Sequence, residues 1–459
     1  REGERGSTLV SFAVFTPTEI TAEYARAMRI VSAVLAACDP KAATARGARE
    51  LGLARGGAPW VLAIGKAAIG MAEGLADVCG TPERHLIVTV DGPAAGPLPN
   101  VLRSDHPLPT QRSVDAGRAV KRFIGEAQTA GAPSLTVLMS GGASSLICEP
   151  IPGLELEEYR TLVRAMLTDG WRIDRVNAVR RAIDNLKGGR LAELAVPLPI
   201  DLLIASDVIG DQLDDVGSGP FVQSTTGSDA ARSLLTRLAG AHGGALTALT
   251  CQPHPPRVEP PRRTSIVLSN ATAVAAARAA TVAEGLLVMH ADTGEAGIVP
   301  GAVRALETAK HREAVVWGGE WDVPVAVAGF GGRAQALAIW LRAAISQARV
   351  CGLLLATDGV DGTVPDGAMP AAGAFVWSGM SWPPDEVAQL SARHATLAEA
   401  VARRDEGADY EAVYDWLGAN SYLRMAWRDA CRPAREPPAH IFTGPTGTNV
   451  NDVLVAWRL

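Results

Sequence analysis

Glycine-rich turns follow several of the apolar runs in this 459-residue sequence. In SGGASS (140–145), two glycines and three serines lie at the end of an apolar run, where backbone N–H groups can close around an anion. A single turn of this kind is more often an ordinary connection between a strand and a helix. Comparable turns recur at LKGGR (186–190), WGGE (317–320), GFGGR (329–333), DGVDG (358–362) and TGPTGTN (443–449). Six such turns are hard to explain by folding alone, because glycine costs stability wherever its positive φ is not needed.

Two of the five lysines lie at such glycine-containing segments, Lys66 in IGKAA and Lys187 in LKGGR. Lys66 directly follows a predicted strand and opens a predicted helix, where a point charge could meet a phosphate. The alternative is a surface lysine at a helix start, which the helix dipole disfavours slightly. The pattern favours phosphate binding for Lys66, whereas the two interpretations are balanced for Lys187.

An acidic loop follows the apolar run DLLIAS. It carries four aspartates, Asp207, Asp211, Asp214 and Asp215. Carboxylates there suit Mg²⁺, which takes one or two of them together with substrate phosphates, and Asp207 could instead act as a base toward a substrate hydroxyl. A solvated acidic loop is the alternative, and it is weakest for Asp207 because this residue directly follows a predicted strand. Asp358 and Asp361 could equally be turn-forming residues or ligands.

Together, the turns, the cations and the carboxylates indicate phosphoryl transfer, in which a protein mainly positions groups and neutralises charge. The sequence motifs of several other protein classes are absent from this chain. There is no G-x-x-x-x-G-K-[ST] motif, no G-x-G-x-x-G after the first strand, and no H-R-D and D-F-G pair. The six cysteines and eight histidines are dispersed without metal-site spacing, so we expect no bound zinc and reduced thiols in the cytoplasm.

The net charge of −6 argues against a nucleic-acid partner, and no apolar run reaches the roughly 18 residues of a membrane span. The first ten residues also lack the apolar core of a signal peptide. We therefore expect a cytoplasmic protein that binds a small molecule, with neither nucleic acid nor membrane as partner. The oligomeric state is left open, with a homodimer as one alternative.

Short buried strands must position these residues. Apolar runs that read as strands, each followed by small or polar residues, are WVLAIG (60–65), HLIVTV (85–90), SLTVLMSGG (134–142), DLLIASDV (201–208) and SIVLSN (265–270). Their alternation with alanine-rich helices predicts an α/β fold with a parallel sheet covered on both faces. Ligands bind such sheets beyond the carboxyl ends of the strands.

The length of the chain predicts two domains. A proline-rich segment, 251–263, is the expected boundary because proline lacks an N–H and fixes φ. Further apolar runs follow it at 312–320, 323–332, 352–359 and 439–449.

Nine segments of the chain resemble the glycerate 2-kinase family, also called the MOFRL family. They are GKAA (65–68), DHPLP (105–109), SGGASSL (140–146), KGGRLA (187–192), SDVIGD (206–211), SGP (218–220), GGRAQ (331–335), TDGVDG (357–362) and GPTGTNVND (444–452). Their order matches that of the family from about residue 20 to the end of the chain. A chance match to the whole ordered set is very improbable.

The resemblance implies an N-terminal Rossmann-like domain over 17–255 and a C-terminal MOFRL α/β domain over 264–459, with the active site in the cleft between them. The last strand could return to the first domain, and 1–16 are expected to be disordered or artificial. The implied reaction is ATP- and Mg²⁺-dependent phosphorylation of the 2-hydroxyl of D-glycerate. The catalytic lysine and arginine would be Lys66 and Arg333, with Asp207 as a base or a metal contact.

The resemblance also implies the binding residues. Nucleotide and phosphate contacts are expected from Gly141, Gly142, Ser144, Ser145, Lys187, Gly188, Thr446, Gly447, Thr448 and Asn449. Asp207 and Asp211 would hold the metal ion. Glu320, Asp358 and Asp361 would face the substrate.

Several positions depart from the usual family motifs while the charged residues Lys66, Asp207 and Arg333 are kept. The departures are Ala143, Asp184, Trp321, Ala334 and Asn420. They favour an intact machinery with an acceptor other than glycerate over a loss of activity. Two other functions stay open: a hydroxypyruvate reductase, for which no nicotinamide fingerprint is visible, and a nucleotide-binding protein without turnover.

Overall fold

The computed structural model describes most of the chain. The described ranges are 15–55, 59–92, 98–169, 171–224, 258–293, 298–321, 329–345, 349–380, 385–393 and 419–459, with a few single positions between them. They form two compact units by contact. The N-terminal unit comprises 38–269 with 447–450, and the C-terminal unit comprises the chain up to 37 with 270–446 and 451–459.

The N-terminal unit is built on a six-stranded, fully parallel sheet. Its strands are β1 (Trp60–Ile64), β2 (Arg84–Val90), β3 (Val101–Ser104), β4 (Leu135–Ser140), β5 (Ile200–Ala205) and β6 (Arg263–Leu268), in the order β3-β2-β1-β4-β5-β6. β1, β4 and β5 are buried along their whole length, as expected of strands covered on both faces. The predicted parallel α/β sheet is therefore confirmed here.

Helices connect these strands. They are α2 (Pro40–Glu50), α3 (Ala68–Cys79), α4 (Gln111–Thr129), α5 (Ala143–Leu146), α6 (Leu156–Thr168), α7 (Ile173–Ile183) and α8 (Arg190–Ala195), and α1 (Pro17–Ala37) precedes them in the sequence. The apolar core of this unit joins β1, β4 and β5 to α4, α5 and α8. A second cluster of buried side chains lies between α6 and α7.

The C-terminal unit holds a second six-stranded sheet of mixed direction. Its strands are β7 (Leu287–Thr293), β8 (Glu313–Gly319), β9 (Val350–Ala356), β10 (Gly373–Trp377), β11 (His440–Ile441) and β12 (Asp452–Arg458), in the order β11-β10-β9-β12-β8-β7. Only β7 and β8 pair in parallel, and the other neighbours are antiparallel. A fully parallel sheet is thus found in the N-terminal unit alone among the two sheets described. The helices are α9 (Asn270–Ala283), α10 (Ile298–Thr308), α11 (Arg333–Ala344), α12 (Glu386–Ser391) and α13 (Ser421–Cys431).

The units divide the chain differently from the predicted domains. β6 lies beyond the proline-rich segment but pairs with β5, so the change of unit falls at residue 270 rather than at 264. α1 packs on α9, within the C-terminal unit. β12 lies between β8 and β9 in the second sheet instead of returning to the first. Residues 1–14, 251–257 and half of the predicted run 323–332 lie outside the described residues.

Candidate active site

Lys66 lies where two neighbouring strands of the N-terminal sheet end. Its backbone N–H donates to the carbonyl of Gly141 at 2.9 Å, and the next N–H, of Ala67, donates to Ser140 Oγ at 3.1 Å. Gly65 has a φ of 137°, and a methyl group there would lie 2.0 Å from Ser140 Oγ. The residue after β1 must therefore be glycine for β1 and β4 to end so close together. This contact fixes the backbone of Lys66 against the turn after β4.

The Gly141–Gly142 turn brings the predicted cation and carboxylate together. A methyl group on Gly142, whose φ is 86°, would lie 3.2 Å from Cγ of Lys66. A methyl group on Gly141 would lie 2.0 Å from Oδ2 of Asp207, which follows β5. Lys66 and Asp207 thus pack on adjacent glycines of one turn, as the strand-end argument predicted. Neither glycine can carry a side chain without moving one of these two groups.

His106 also packs on this turn, and the sequence argument did not single it out. Its Cδ2 would lie 3.2 Å from a methyl group on Gly142. Burial, followed by the charges of Lys66 and Arg180, lowers the pKa of His106 to about 4. The imidazole is therefore neutral at neutral pH. The motif DHPLP, which contains His106, was the available sequence clue.

Ser144 is held by a chain of side-chain hydrogen bonds. Its Oγ lies 2.8 Å from Ser218 Oγ, and the Ser218 hydroxyl donates to Oδ1 of Asn177 at 2.9 Å. Asn177 Nδ2 in turn donates to Asp215 Oδ1 at 3.2 Å. Ser218 has a φ of 62° between two glycines that also have positive φ. The segment SGP therefore serves to fix the serine that follows the Gly141–Gly142 turn.

Two other predicted binding residues use their polar groups inside the protein. The Ser145 hydroxyl donates to the carbonyl of Pro107 at 2.5 Å, and the N–H of Gly188 donates to the carbonyl of Ser218 at 3.1 Å. The polar groups of Ser145 and Gly188 are thus bonded to backbone carbonyls of the same unit.

Lys187 is fully buried, in contrast to the half-buried Lys66. Its Nζ donates to the carbonyl of Ile147 at 2.7 Å, and burial lowers its pKa. The nearby Asp184 is also enclosed, and burial raises its pKa although Lys187 opposes this shift. Asp184 accepts hydrogen bonds from the backbone of Leu186 and from the Tyr159 hydroxyl. The charge of Lys187 is therefore used within the fold, not at an accessible phosphate site.

In the C-terminal unit, Arg333 begins α11 between two acidic groups. Its Nη1 lies 2.7 Å from Oε1 of Glu320, and its Nε lies 3.3 Å from Oδ2 of Asp452. Arg333 keeps about a third of its side chain exposed, whereas Asp452 is buried. Burial raises the pKa of Asp452 to about 8 although Arg333 opposes this shift. The guanidinium is thus positioned by Glu320 and Asp452 and stays partly exposed.

Asp361 caps the first turn of α11. Its two carboxylate oxygens accept the N–H groups of Ala334 at 3.0 Å and Gln335 at 2.7 Å. Asp358 Oδ1 accepts the N–H of Val360 at 3.0 Å. Asp358 therefore has the turn-forming role that was left open as the alternative, whereas Asp361 caps a helix that is distant in sequence. Of the three predicted substrate residues, Glu320 is the most exposed.

Thr446, the first residue of the predicted nucleotide turn at 446–449, is bonded to the residues after β9. The Thr446 hydroxyl donates to the carbonyl of Thr357 at 2.7 Å, and its N–H donates to the carbonyl of Asp358 at 3.1 Å. Thr448 is buried, while Gly447 has a φ of 74° and is exposed. Exposed backbone in this turn is concentrated at Gly447.

Four departures from the family motifs fall inside the fold. Ala143 belongs to the core of the N-terminal unit, and Ala334 is buried in the first turn of α11. Asn420 is buried and its Oδ1 accepts the N–H of Phe330 at 3.2 Å. Trp321 is buried as well, and its Nε1 has no hydrogen-bond partner within the described part of the chain.

No group of three or more histidines, cysteines and acidic residues could hold a metal ion among the residues that the structure describes. Mg²⁺ requires fewer protein ligands than that, since substrate phosphates supply the others. The carboxylate of Asp207, which packs on Gly141, is suited to be such a metal ligand. Asp211 lies further along the same loop with a φ of 54°. No described helix is long and apolar enough to cross a membrane.

Comparison with known proteins gives matches along most of the chain. Two family models match: a domain of unknown function, DUF4147, at residues 26–243, and the MOFRL family at residues 313–452. The D-glycerate 2-kinase of Thermotoga maritima is 28% identical over 86% of this chain and 89% of its own length. A protein of Agrobacterium vitis, provisionally named hydroxypyruvate reductase, is 30% identical over 86% of this chain and 97% of its own. The crystal structure of the Thermotoga maritima glycerate kinase superposes with a TM-score of 0.75 and 26% identity, over 96% of this chain and 100% of that one.

Proposed function

Because the chain belongs to the glycerate 2-kinase family, also called the MOFRL family, we propose that it transfers the γ-phosphoryl group of ATP to the 2-hydroxyl of glycerate. We base this on one observation: Lys66 and Asp207 pack on adjacent glycines of one turn at the carboxyl edge of a parallel sheet. In such sheets that edge is where ligands bind. The chain is a phosphotransferase with an alcohol group as acceptor, as its family membership implies.

Lys66 is proposed to neutralise charge on the transferring phosphoryl group. Phosphoryl transfer leaves little covalent chemistry to the protein, so fixed positive charges supply most of the stabilisation. The hydrogen bond from the Lys66 N–H to Gly141 holds this cation on the turn whose backbone would hold the phosphate. Gly141, Gly142 and Ser144 are the proposed phosphate contacts.

Asp207 is proposed either to accept the proton of the acceptor hydroxyl or to hold Mg²⁺. Its place beside Gly141 suits both roles. Asp211 would be a second metal ligand from the same loop. When bound, Mg²⁺ neutralises phosphate charge. Apart from that, the N-terminal unit contributes the turn, the Lys66 charge and the neutral His106.

Arg333 is proposed as a further catalytic cation, contributed by the C-terminal unit. Glu320 and Asp452 hold its guanidinium and limit the number of conformations it can adopt. The exposed Gly447 supports a nucleotide contact in the 446–449 segment. Lys187, Ser145 and Gly188 receive no such support, because their polar groups are bonded within the fold.

Glycerate is favoured over a changed acceptor by the position of the departures. Asp184, Ala334 and Asn420 are engaged in hydrogen bonds of the fold, and Ala143 and Trp321 are buried. Substitutions that are accommodated inside the protein need not alter the site for the acceptor. A hydroxy acid other than glycerate as the clearly best substrate would contradict this assignment.

The test is incubation of the full chain with ATP, Mg²⁺ and a panel of hydroxy acids, followed by phosphorus NMR of the products. We expect 2-phosphoglycerate from D-glycerate. Lys66→Ala and Arg333→Ala should each lower kcat by about 10³-fold or more. Lys41→Ala, at an exposed lysine paired with Asp77, is the matched control and should be unchanged.

Three outcomes would contradict the proposal. Wild-type turnover in the Lys66→Ala and Arg333→Ala variants would remove both cations from the mechanism. Oxidation of NADH with hydroxypyruvate would favour the reductase named for the Agrobacterium vitis relative. Tight ATP binding without turnover on any acceptor would indicate a nucleotide-binding protein.

A further inference from the structure

Two consecutive arginines of α7, Arg180 and Arg181, are both buried but differ in their hydrogen bonds. Arg181 is 2% exposed and paired, since its Nη1 donates to the carbonyl of Asp214 and lies 3.1 Å from Oδ1 of Asp215. Arg180 is 7% exposed, yet among the described residues it takes part in no hydrogen bond or ion pair. A buried charge without a hydrogen-bonded partner is costly, so its presence requires an explanation.

The Arg180 guanidinium reaches accessible space. None of its nitrogens is among the fully enclosed polar atoms that lack a partner, so these nitrogens contribute to the small exposed fraction of the side chain. The charge of Asp184 acts on Arg180, but no hydrogen bond joins the two side chains, and the oxygens of Asp184 accept the N–H groups of Leu186 and Glu149 and the Tyr159 hydroxyl. The fold therefore leaves this guanidinium available to an anion from outside the protein.

Arg180 lies at the same end of the N-terminal unit as Lys66. Asn177 is one helical turn earlier on α7 and therefore on the same face as Arg180. Asn177 is linked through Ser218 to Ser144, two residues after Gly142. The charges of Lys66 and Arg180 both act on His106, which packs on Gly142.

We propose that Arg180 determines substrate specificity by binding the carboxylate of the hydroxy-acid acceptor, beside the turn that carries Lys66. This rests on the proposed kinase function. The planar guanidinium matches a carboxylate with two parallel hydrogen bonds. The phosphate is already served by the turn and by Lys66, so the remaining anionic group of the reaction is the acceptor carboxylate. The neutral His106 adds no third charge to compete with it.

The test compares Arg180→Gln and Arg180→Lys with the wild type. Loss of a charge-assisted contact should raise the KM for D-glycerate by about 10- to 100-fold and leave the KM for ATP within about twofold. The selectivity for D-glycerate over its neutral amide should fall by a similar factor. Arg180→Lys keeps the positive charge but not the planar pair of N–H donors. Its KM for D-glycerate should therefore lie between those of the wild type and Arg180→Gln. Arg118→Gln, at an exposed arginine of α4, is the control.

Two measurements without turnover separate this proposal from the kinase function. Calorimetric titration with D-glycerate in the absence of nucleotide should give binding to the wild type and a loss of binding in Arg180→Gln. Thermal unfolding without ligand should be unchanged or raised in Arg180→Gln, because an unpaired buried charge is removed. Binding of this pattern supports the role of Arg180 even if no phosphorylated product is found.

Other results would overturn it. An unchanged KM for D-glycerate in Arg180→Gln would exclude the carboxylate contact. A rise in the KM for ATP alone would assign the guanidinium to the nucleotide phosphates. Lower thermal stability with both KM values unchanged would make Arg180 a structural residue.

Discussion

Asp452 carries its carboxyl group inside the C-terminal unit, with Oδ2 3.3 Å from Nε of Arg333. Burial raises its pKa from 3.8 to about 8. Between these values the folded protein holds a proton that the unfolded chain has lost. The contribution of Asp452 to the free energy of unfolding is therefore fully present below about pH 4. It falls as the pH rises from there and is lost once the pH has passed through about 8.

The variant Asp452→Asn should remove this dependence. The difference in the free energy of unfolding, wild type minus variant, should fall by up to about 1.4 kcal/mol per pH unit between pH 5 and 8. Urea unfolding at four pH values measures it. Burial lowers the pKa values of His106 and His440 to about 4, so their contributions to the free energy of unfolding rise with pH up to about 6.5. These contributions are the same in both proteins and cancel in the difference. Parallel curves for the two proteins would contradict a raised pKa.

Strand-end residues were the part of the site that the sequence could predict. Lys66 and Asp207 follow apolar runs directly, and parallel strands bring their carboxyl ends to one edge of the sheet. Arg180 was missed because it lies within a helix, where nothing in the pattern distinguishes it from Arg181. The burial of Lys187 was equally invisible, since a glycine-flanked lysine reads the same whether it faces solvent or a carbonyl.

At the scale of the elements, the close contact between α2 and α3 is tightest at one glycine. A methyl group on Gly74 of α3 would lie 2.1 Å from the carbonyl oxygen of Lys41 in α2. Because backbone cannot move aside cheaply, Gly74→Ala should lower the free energy of unfolding by roughly 1–3 kcal/mol. Thermal or urea unfolding measures the change.

The matched control is Gly125→Ala in α4. This helical glycine has nothing within 4 Å of an added methyl group and an ordinary negative φ. Alanine should therefore stabilise the protein by about 0.5–1 kcal/mol through its helix propensity. Equal effects of the two substitutions would show that the close approach of α2 and α3 has no energetic consequence.

Burial alone does not separate the strands that the sequence predicted from those that it missed, since the buried β10 and β12 were missed and the half-exposed β6 was predicted. β1, β4, β5 and β9 are continuous apolar runs, whereas β3 has four half-buried or buried residues and β7 is mostly exposed. The direction of the strands in the second sheet could not be predicted from the sequence either. A run buried on both faces has the same composition whether its neighbours are parallel or antiparallel.

At the scale of the whole chain, α1 belongs to the unit that begins more than 200 residues later in sequence. The Trp457 indole N–H donates to Oε2 of Glu23 at 2.7 Å, in the protein interior. Arg29 binds Glu284 through two hydrogen bonds of 2.6 and 2.8 Å. No local pattern in α1 could predict these contacts, because its amphipathic face fits any apolar surface.

The C-terminal unit should therefore require α1 for stability. A fragment of residues 270–459 lacks the helix that packs on α9, β9 and β10, so it should unfold at a lower temperature than the same fragment fused to residues 15–37. Adding a synthetic 15–37 peptide should raise the melting temperature in a concentration-dependent manner, because a ligand of the folded state stabilises it by mass action. A peptide with Ile30→Asp and Val34→Asp, both buried in α1, should have no effect. Equal melting temperatures with and without the native peptide would mean that the C-terminal unit folds independently of α1.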